Sequence, residues 1–378
     1  VIDKIRVYNA GFGDCFLVYG TTDKNNLSFK LLVDAGTATP SATNEIDIIK
    51  DINTESGKGI YGMLTHFHED HYKWFEKLKR DSFDVFYLPN FFTDMEIKFQ
   101  LLALTFLSRR SAIYEFAHQL LLIVPNLLHN NIIKNNGEVH FVKLYDRIVD
   151  DIEILWPESR RNPNMEEIIE EIENKITVEQ NRLINEIVDL YMELLTGEII
   201  VQGERIVSIV DTIINLTNQL IGNNERGNIL SRSDVEKIKK VQNQYSIVFH
   251  TTYVTQKNIL FLGDVSSENF DKYICPKIND GYKILKVAHH GTKDYYSDKL
   301  PYSEKFIISN AKKGNWDITA KYAMKYPNPM FVCTNNSGCE IYNTLGQDCM
   351  IIKRALSTHP KGCYCSIGAG NFSMDINL

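Results

Sequence analysis

Four apolar runs in this chain each stop at a side chain able to hold a metal ion. They are Leu32-Val33-Asp34, Met63-Leu64-Thr65-His66, Leu260-Phe261-Leu262-Gly263-Asp264 and Leu285-Lys286-Val287-Ala288-His289. Short apolar runs bounded by turn residues read as buried strands. When buried strands of a layered fold end together, their last residues gather along one edge, where loops build sites. The second run is the richest, because Thr65-His66-Phe67-His68-Glu69-Asp70-His71 sets three imidazoles and an aspartate within six residues. Neutral imidazole nitrogen and carboxylate oxygen suit zinc, manganese and iron. Alternate side chains of an extended segment face one way, so His66 and His68 can grip one ion while Asp70 and His71, past the bend, face a second. The bland alternative, a polar loop that happens to be His-rich, requires three of only 10 histidines to fall into this pattern by chance.

The remaining organisation fits a layered α/β domain. Strands are expected at 6–9 and 15–19, joined through Gly11-Phe12-Gly13-Asp14, and at 29–33, 60–64 and 85–88, with helices at 44–52 and around Trp74, Phe75 and Leu78. Residues 93–136 read as a helical excursion, with Ile97, Leu101, Leu104 and Leu107 at three- and four-residue steps. Strands return at 139–142 and 151–156. A helical insertion over 159–242 follows, acidic at first and then striped with Leu183, Ile184, Ile187 and Tyr191. It either caps the site or mediates association, as a homodimer or with a partner protein. Strands resume at 245–250, 258–262, 282–288, 305–309, 330–332 and 350–352. The domain thus comprises 1–92, 137–158 and 243–378, with no repeat of solenoid length.

Composition limits the functions available. With 41 Lys and Arg against 48 Asp and Glu, the formal charge is −7, so no global basic field draws the chain to nucleic acid. A local groove or a metal ion can still hold phosphate. No run of 18 apolar residues is present, so no membrane association is expected, and the first residues alternate like a strand rather than a signal peptide. Seven cysteines without scaffold spacing point to reduced thiols and a cytoplasmic location. Cys333, Cys339, Cys349, Cys363 and Cys365 lack the paired Cys-x-x-Cys form of zinc ribbons and read as small buried thiols. The absence of Gly-x-Ser-x-Gly and of a Walker loop removes serine-hydrolase and P-loop readings.

In this order, Gly11-Phe12-Gly13-Asp14-Cys15, Leu32-Val33-Asp34-Ala35-Gly36, the His66–His71 run, Leu262-Gly263-Asp264-Val265 and Leu285-Lys286-Val287-Ala288-His289-His290-Gly291-Thr292 resemble the metallo-β-lactamase fold superfamily. Within it they resemble the C-terminal hydrolase domain of the ComEC competence proteins. Asn243-Gln244-Tyr245-Ser246 is similar to the Asn-x-x-Ser stretch preceding Gly-Asp there. The membrane channel of those proteins has no counterpart, so a stand-alone soluble relative is expected. The resemblance implies an αββα sandwich, here with an inserted helical subdomain, and one or two divalent ions, zinc first, with manganese or iron as alternatives. It implies that His66 and His68 hold the first ion, Asp70 and His71 the second, and that Asp264 bridges them. His289 would complete the second site, and His290 would contact substrate or move a proton. Asp70, Asp264 and His290 are therefore the candidate catalytic residues. Asp34, Asp14, Asn243 and Ser246 would orient the ligands.

One departure stands out. The superfamily's usual additional first-site histidine has no counterpart here; His118, His129, His140 and His250 occupy no recognisable motif, and structural or surface roles are expected for them. Tyr72-Lys73-Trp74 replaces the usual small residues, either narrowing the pocket or packing the helix. The expected activity is metal-dependent hydrolysis of a small-molecule or nucleic-acid phosphodiester by a metal-activated hydroxide. The alternatives are hydrolysis of a small ester, lactone or thioester, and a non-catalytic scaffold with a degenerate metal site.

Overall fold

The computed structural model describes residues 1–22, 26–38, 44–55, 60–66, 68–90, 93–106, 133–149, 151–158, 163–173, 176–196, 199–200, 204–222, 244–252, 258–310, 319, 321–322, 330–334, 363–364 and 372–378. The strand expected at 350–352, Asn243, His118, His129 and three of the late cysteines (339, 349 and 365) lie outside these residues.

The first sheet contains β1 (Ile2–Tyr8), β2 (Cys15–Thr21), β3 (Ser28–Ala35), β4 (Ile60–Met63), β5 (Phe83–Pro89), β6 (Ile133–Val142), the short β9 (Ile199–Ile200) and β16 (Ser373–Asn377). Its order is β16-β1-β2-β3-β4-β5-β6-β9. The second sheet contains β7 (Arg147–Ile148), β8 (Ile152–Trp156), β10 (Val248–Thr251), β11 (Ile259–Phe261), β12 (Gly281–Lys286), β13 (Tyr302–Ile308), β14 (Met330–Cys333) and β15 (Cys363–Tyr364). Its order is β15-β14-β13-β12-β11-β10-β8-β7.

The strand sequences explain the stacking. Along β2, Phe16 and Val18 face the second sheet, where Phe249, Phe261, Ile284 and Ile307 meet them. Their neighbours Cys15 and Leu17 point the other way, into the layer of helices. The helices on that outer face are α1 (Glu45–Glu55), α3 (Asp94–Phe106), α4 (Pro163–Glu173), α5 (Val178–Thr196) and α6 (Glu204–Gly222), with the one-turn α2 (Glu69–Tyr72) at the sheet's edge. The outer face of the second sheet buries Leu260, Leu285 and Phe306 beneath Phe270, Ile274, Tyr296 and Tyr322. Strands buried on both faces need continuous apolar sequence, which is why these runs do not alternate with polar residues. Each fully buried Leu, Ile or Phe contributes about 2 kcal/mol of transfer free energy. The expected αββα sandwich is the architecture observed.

The helical stretches are less separate than their sequence implied. Leu183, Ile184, Ile187 and Tyr191 of α5 share one apolar core with α3 and with the outward side chains of β2 and β3. Residues 93–136 include the start of β6 at Ile133, and residues 159–242 return β9 to pair with β6. The strand β16, unannounced by the sequence, pairs antiparallel with β1 from Lys4↔Asn377 to Tyr8↔Ser373. Helix α3 opens on a reciprocal cap: Thr93 N–H donates to Glu96 Oε2 at 2.8 Å, and Glu96 N–H donates to Thr93 Oγ1 at 3.3 Å. No helix among the described residues is long and apolar enough to cross a membrane.

Two parallel pairs set the site. β3 and β4 run side by side, Val33 opposite Met63, and β11 and β12 likewise, Phe261 opposite Lys286. Asp34 and His66 therefore emerge together from one sheet, and Asp264 and His289 from the other. The Ile247 N–H donates to the Thr65 carbonyl at 2.9 Å and ties the two edges.

Candidate metal centre

Asp34 organises the first half. Its Oδ1 accepts from the Thr65 N–H at 2.7 Å, and its Oδ2 accepts from the Thr65 hydroxyl at 2.8 Å and from His71 Nδ1 at 2.8 Å. Because the Thr65 hydroxyl spends its hydrogen on Asp34, it is an acceptor for His66 Nδ1, 3.1 Å away. Ser246 Oγ lies at the same 3.1 Å from that nitrogen and accepts the Asp264 N–H at 2.7 Å. In the second half, His290 Nδ1 donates to the Ser309 carbonyl at 2.7 Å. His289 Nδ1 lies 3.1 Å from the Thr292 hydroxyl, which donates to the His289 carbonyl.

The consequence is common to four imidazoles. On His66, His71, His289 and His290 an oxygen engages Nδ1, so Nε2 is the atom turned toward the centre. The Nε2 atoms of His66, His71 and His289 stand 3.5, 3.7 and 3.7 Å from one oxygen, Asp264 Oδ2. His68 Nδ1 lies 3.0 Å from His66 Nε2, and His290 Nε2 lies 3.0 Å from Asp70 Oδ2. Among the described residues three groups of donors stand close enough to hold an ion: His66, His71 and Asp264; Asp70, His71 and His290; and Asp14, Asp34 and His71.

A backbone device delivers the paired histidines. His289, His290 and Gly291 take φ values of 43°, 58° and 78°, three successive residues in the left-handed region. Such strain persists only where the surroundings hold it. Here they do: Thr292, the Asn310 side chain and Thr319 donate to the carbonyls of His289, His290 and Gly291 in turn. Gly263 also has a positive φ of 50°, and a Cβ there would meet Ser246 Oγ at 2.6 Å, so Ser246 and the turn before Asp264 fit closely.

Electrostatics fit a cation at this point. Burial opposes charge on His71 and His290, yet Asp34, Asp264 and Asp70 hold His71 well above its ordinary pKa, and Asp70 and Asp14 raise His290. Burial pushes His68 down to about 3 and His289 down to about 4. For Asp70 and Asp264 burial works against ionisation, but the surrounding imidazoles outweigh it and both stay well below the usual carboxylate range. His71 Nε2 and both Asp264 oxygens are buried and make no hydrogen bond. Buried polar atoms left in this condition are costly unless a further partner completes them. A divalent ion would supply that partner, and the nitrogen and carboxylate donors suit one.

Asp14, Asp34, His66, His68, Asp70, His71, Ser246, Asp264, His289 and His290 lie together at this edge, Asn243 lies outside the described residues, and it is His290 that stands against Asp70. Asp14 is buried beside His71 Nδ1 and His290 Nδ1, at 3.8 and 3.7 Å. Of the other histidines, His140 is exposed against Glu138 and His250 bonds the Tyr282 hydroxyl at 2.7 Å. Tyr72 and Trp74 pack into the core under the first sheet. Thr65, Thr292, Ser309 and Lys286 also contact the candidate donors, although no sequence motif marks them. Only Lys286 carried a signal, a lone cation within a strand otherwise read as buried.

No protein-family model matches the chain, and no curated protein does. Among solved structures it is similar to a long form of RNase Z from yeast, at 9% identity and a TM-score of 0.31, covering 99% of this chain and 41% of that chain. The chain thus spans well under half of that relative's length. A likeness this weak says nothing of function.

Proposed function

We propose that this chain is a metal-dependent hydrolase acting on phosphodiesters, with His66, His68 and Asp264 toward a first ion and Asp70, His71, His290 and Asp264 toward a second. The observation that carries it is the set of buried Nε2 atoms turned toward Asp264 and Asp70 from both sheets. The motif resemblance supports the same reading. Ions held there would supply the charge that activates water and polarises the substrate oxygen, and a pair suits in-line displacement at phosphorus. His289 stands on the same Asp264 oxygen as His66 and is the nitrogen at hand for the first ion's missing place. Asp34, Thr65, Ser246 and Ser309 fix the imidazole tautomers, so little reorganisation is needed when substrate arrives. Asp70, less buried than Asp264, would orient the attacking water beside its contact with His290.

The test is hydrolysis of bis(p-nitrophenyl) phosphate and single-stranded DNA by protein loaded with zinc or manganese, before and after chelation. Cleavage that chelation removes and metal restores is expected. Loaded protein that binds ions yet cleaves no phosphodiester, while hydrolysing neutral esters or lactones, overturns the substrate class. Protein that takes up no ion overturns the enzyme reading in favour of a scaffold.

A further inference from the structure

Lys286 is 1% exposed, and its ammonium sits in the wall behind the candidate ligands. It pairs with Asp14, donates to the Gly263 carbonyl at 3.4 Å and stands 4.0 Å from Asp264 Oδ1. Desolvating an ammonium is expensive, and a well-packed apolar pair of similar volume is often as stable or more so. Core stability therefore does not explain a lysine here.

Its contacts do. Asp14, held by Lys286, backs both His71 and His290 on their Nδ1 sides. The ammonium flanks Oδ1 of Asp264, whereas the three Nε2 atoms surround Oδ2. Resting on the metal-centre reading above, we infer that Lys286 is a positioning residue: it turns Asp264 to present a single oxygen to the ions and, through Asp14, fixes the two imidazoles on the second ion's side. Its strand, β12, leads directly into the His289–Gly291 turn, so one strand delivers the cation and both histidines.

The experiment measures zinc affinity and stoichiometry by chelator competition, alongside thermal unfolding, for the wild type, Lys286→Met, Asp14→Asn and the double variant Lys286→Met/Asp14→Leu. Each single variant is expected to bind zinc roughly 10- to 100-fold more weakly. The double variant, which leaves no unpaired charge, should regain the lost thermal stability and not the zinc affinity. Recovery of both would make the pair merely structural and overturn the inference. So would wild-type zinc affinity in Lys286→Met or, if that variant does not fold, in Asp14→Asn. In either case a zinc-binding wild type leaves the hydrolase reading intact; a wild type that binds none removes both.

Discussion

The two sheets contribute to the centre in different ways. The first sheet gives a contiguous segment, His66 to His71, clamped by one carboxylate, Asp34, that bonds both Thr65 and His71. The second gives scattered residues, Ser246, Asp264, His289 and His290, each held by its own neighbour: the Ile247 link to Thr65, the Gly263 turn, Thr292 and Ser309. A contiguous motif folds its ligands locally and needs one anchor. A dispersed one depends on strand register, and its anchors are accordingly many and mostly backbone. In the dispersed half Asp264 faces imidazoles from both sheets through a single oxygen.

Removing that group is the strongest way to break the comparison. On the proposed function, Asp264→Ala should cost roughly a thousand-fold or more in phosphodiester turnover, with less metal taken up per chain by elemental analysis. Retained turnover would mean that the halves act independently.

A second test separates fold stability from the centre. Glu96, in the helix layer of the first half, is pushed up to about 7 by burial, against the hydrogen bonds from Thr93. A raised carboxyl pKa means the folded state holds the proton more tightly than the unfolded chain. Its contribution is therefore complete below the ordinary value near 4.5 and is lost as pH rises through about 7. Denaturant titrations between pH 5 and pH 8 should show wild-type stability falling by roughly 3 kcal/mol relative to Glu96→Gln. Equal slopes for the two proteins would remove this assignment.

Smaller effects sharpen the contrast of anchors. Asp34→Asn, the single clamp of the contiguous half, should weaken zinc binding about 10- to 100-fold in a competition assay. Ser246→Ala, one anchor among several in the dispersed half, should cost about 1 kcal/mol in stability, with a smaller change in zinc affinity than Asp34→Asn. The reverse order would show that the dispersed half is the more fragile.

The difference also explains what could be read from the chain. His66, His68, Asp70 and His71 were legible because metal chemistry and strand periodicity act over a few residues. Asp264 and His289 were legible as strand ends. Which histidine of the pair meets Asp70 was not, because three consecutive left-handed residues decide it, and those are set by Asn310 and by residues after β13. The roles of Thr65 and Ser309 were hidden because a hydroxyl or a carbonyl gains its meaning only from what packs against it. The helical insertion was legible as helices, but its union with the first sheet's outer face was not.

By itself, then, the sequence determined the layered class, the edge at which the strands end and the donor chemistry assembled there, since periodicity and residue type are local properties. The tertiary structure alone decided the stacking register that aims Nε2 atoms from two sheets at one carboxylate. It also placed Lys286 behind that carboxylate. Both depend on desolvated contacts between residues more than 200 positions apart in the chain, such as Asp70 with His290 and Asp14 with Lys286.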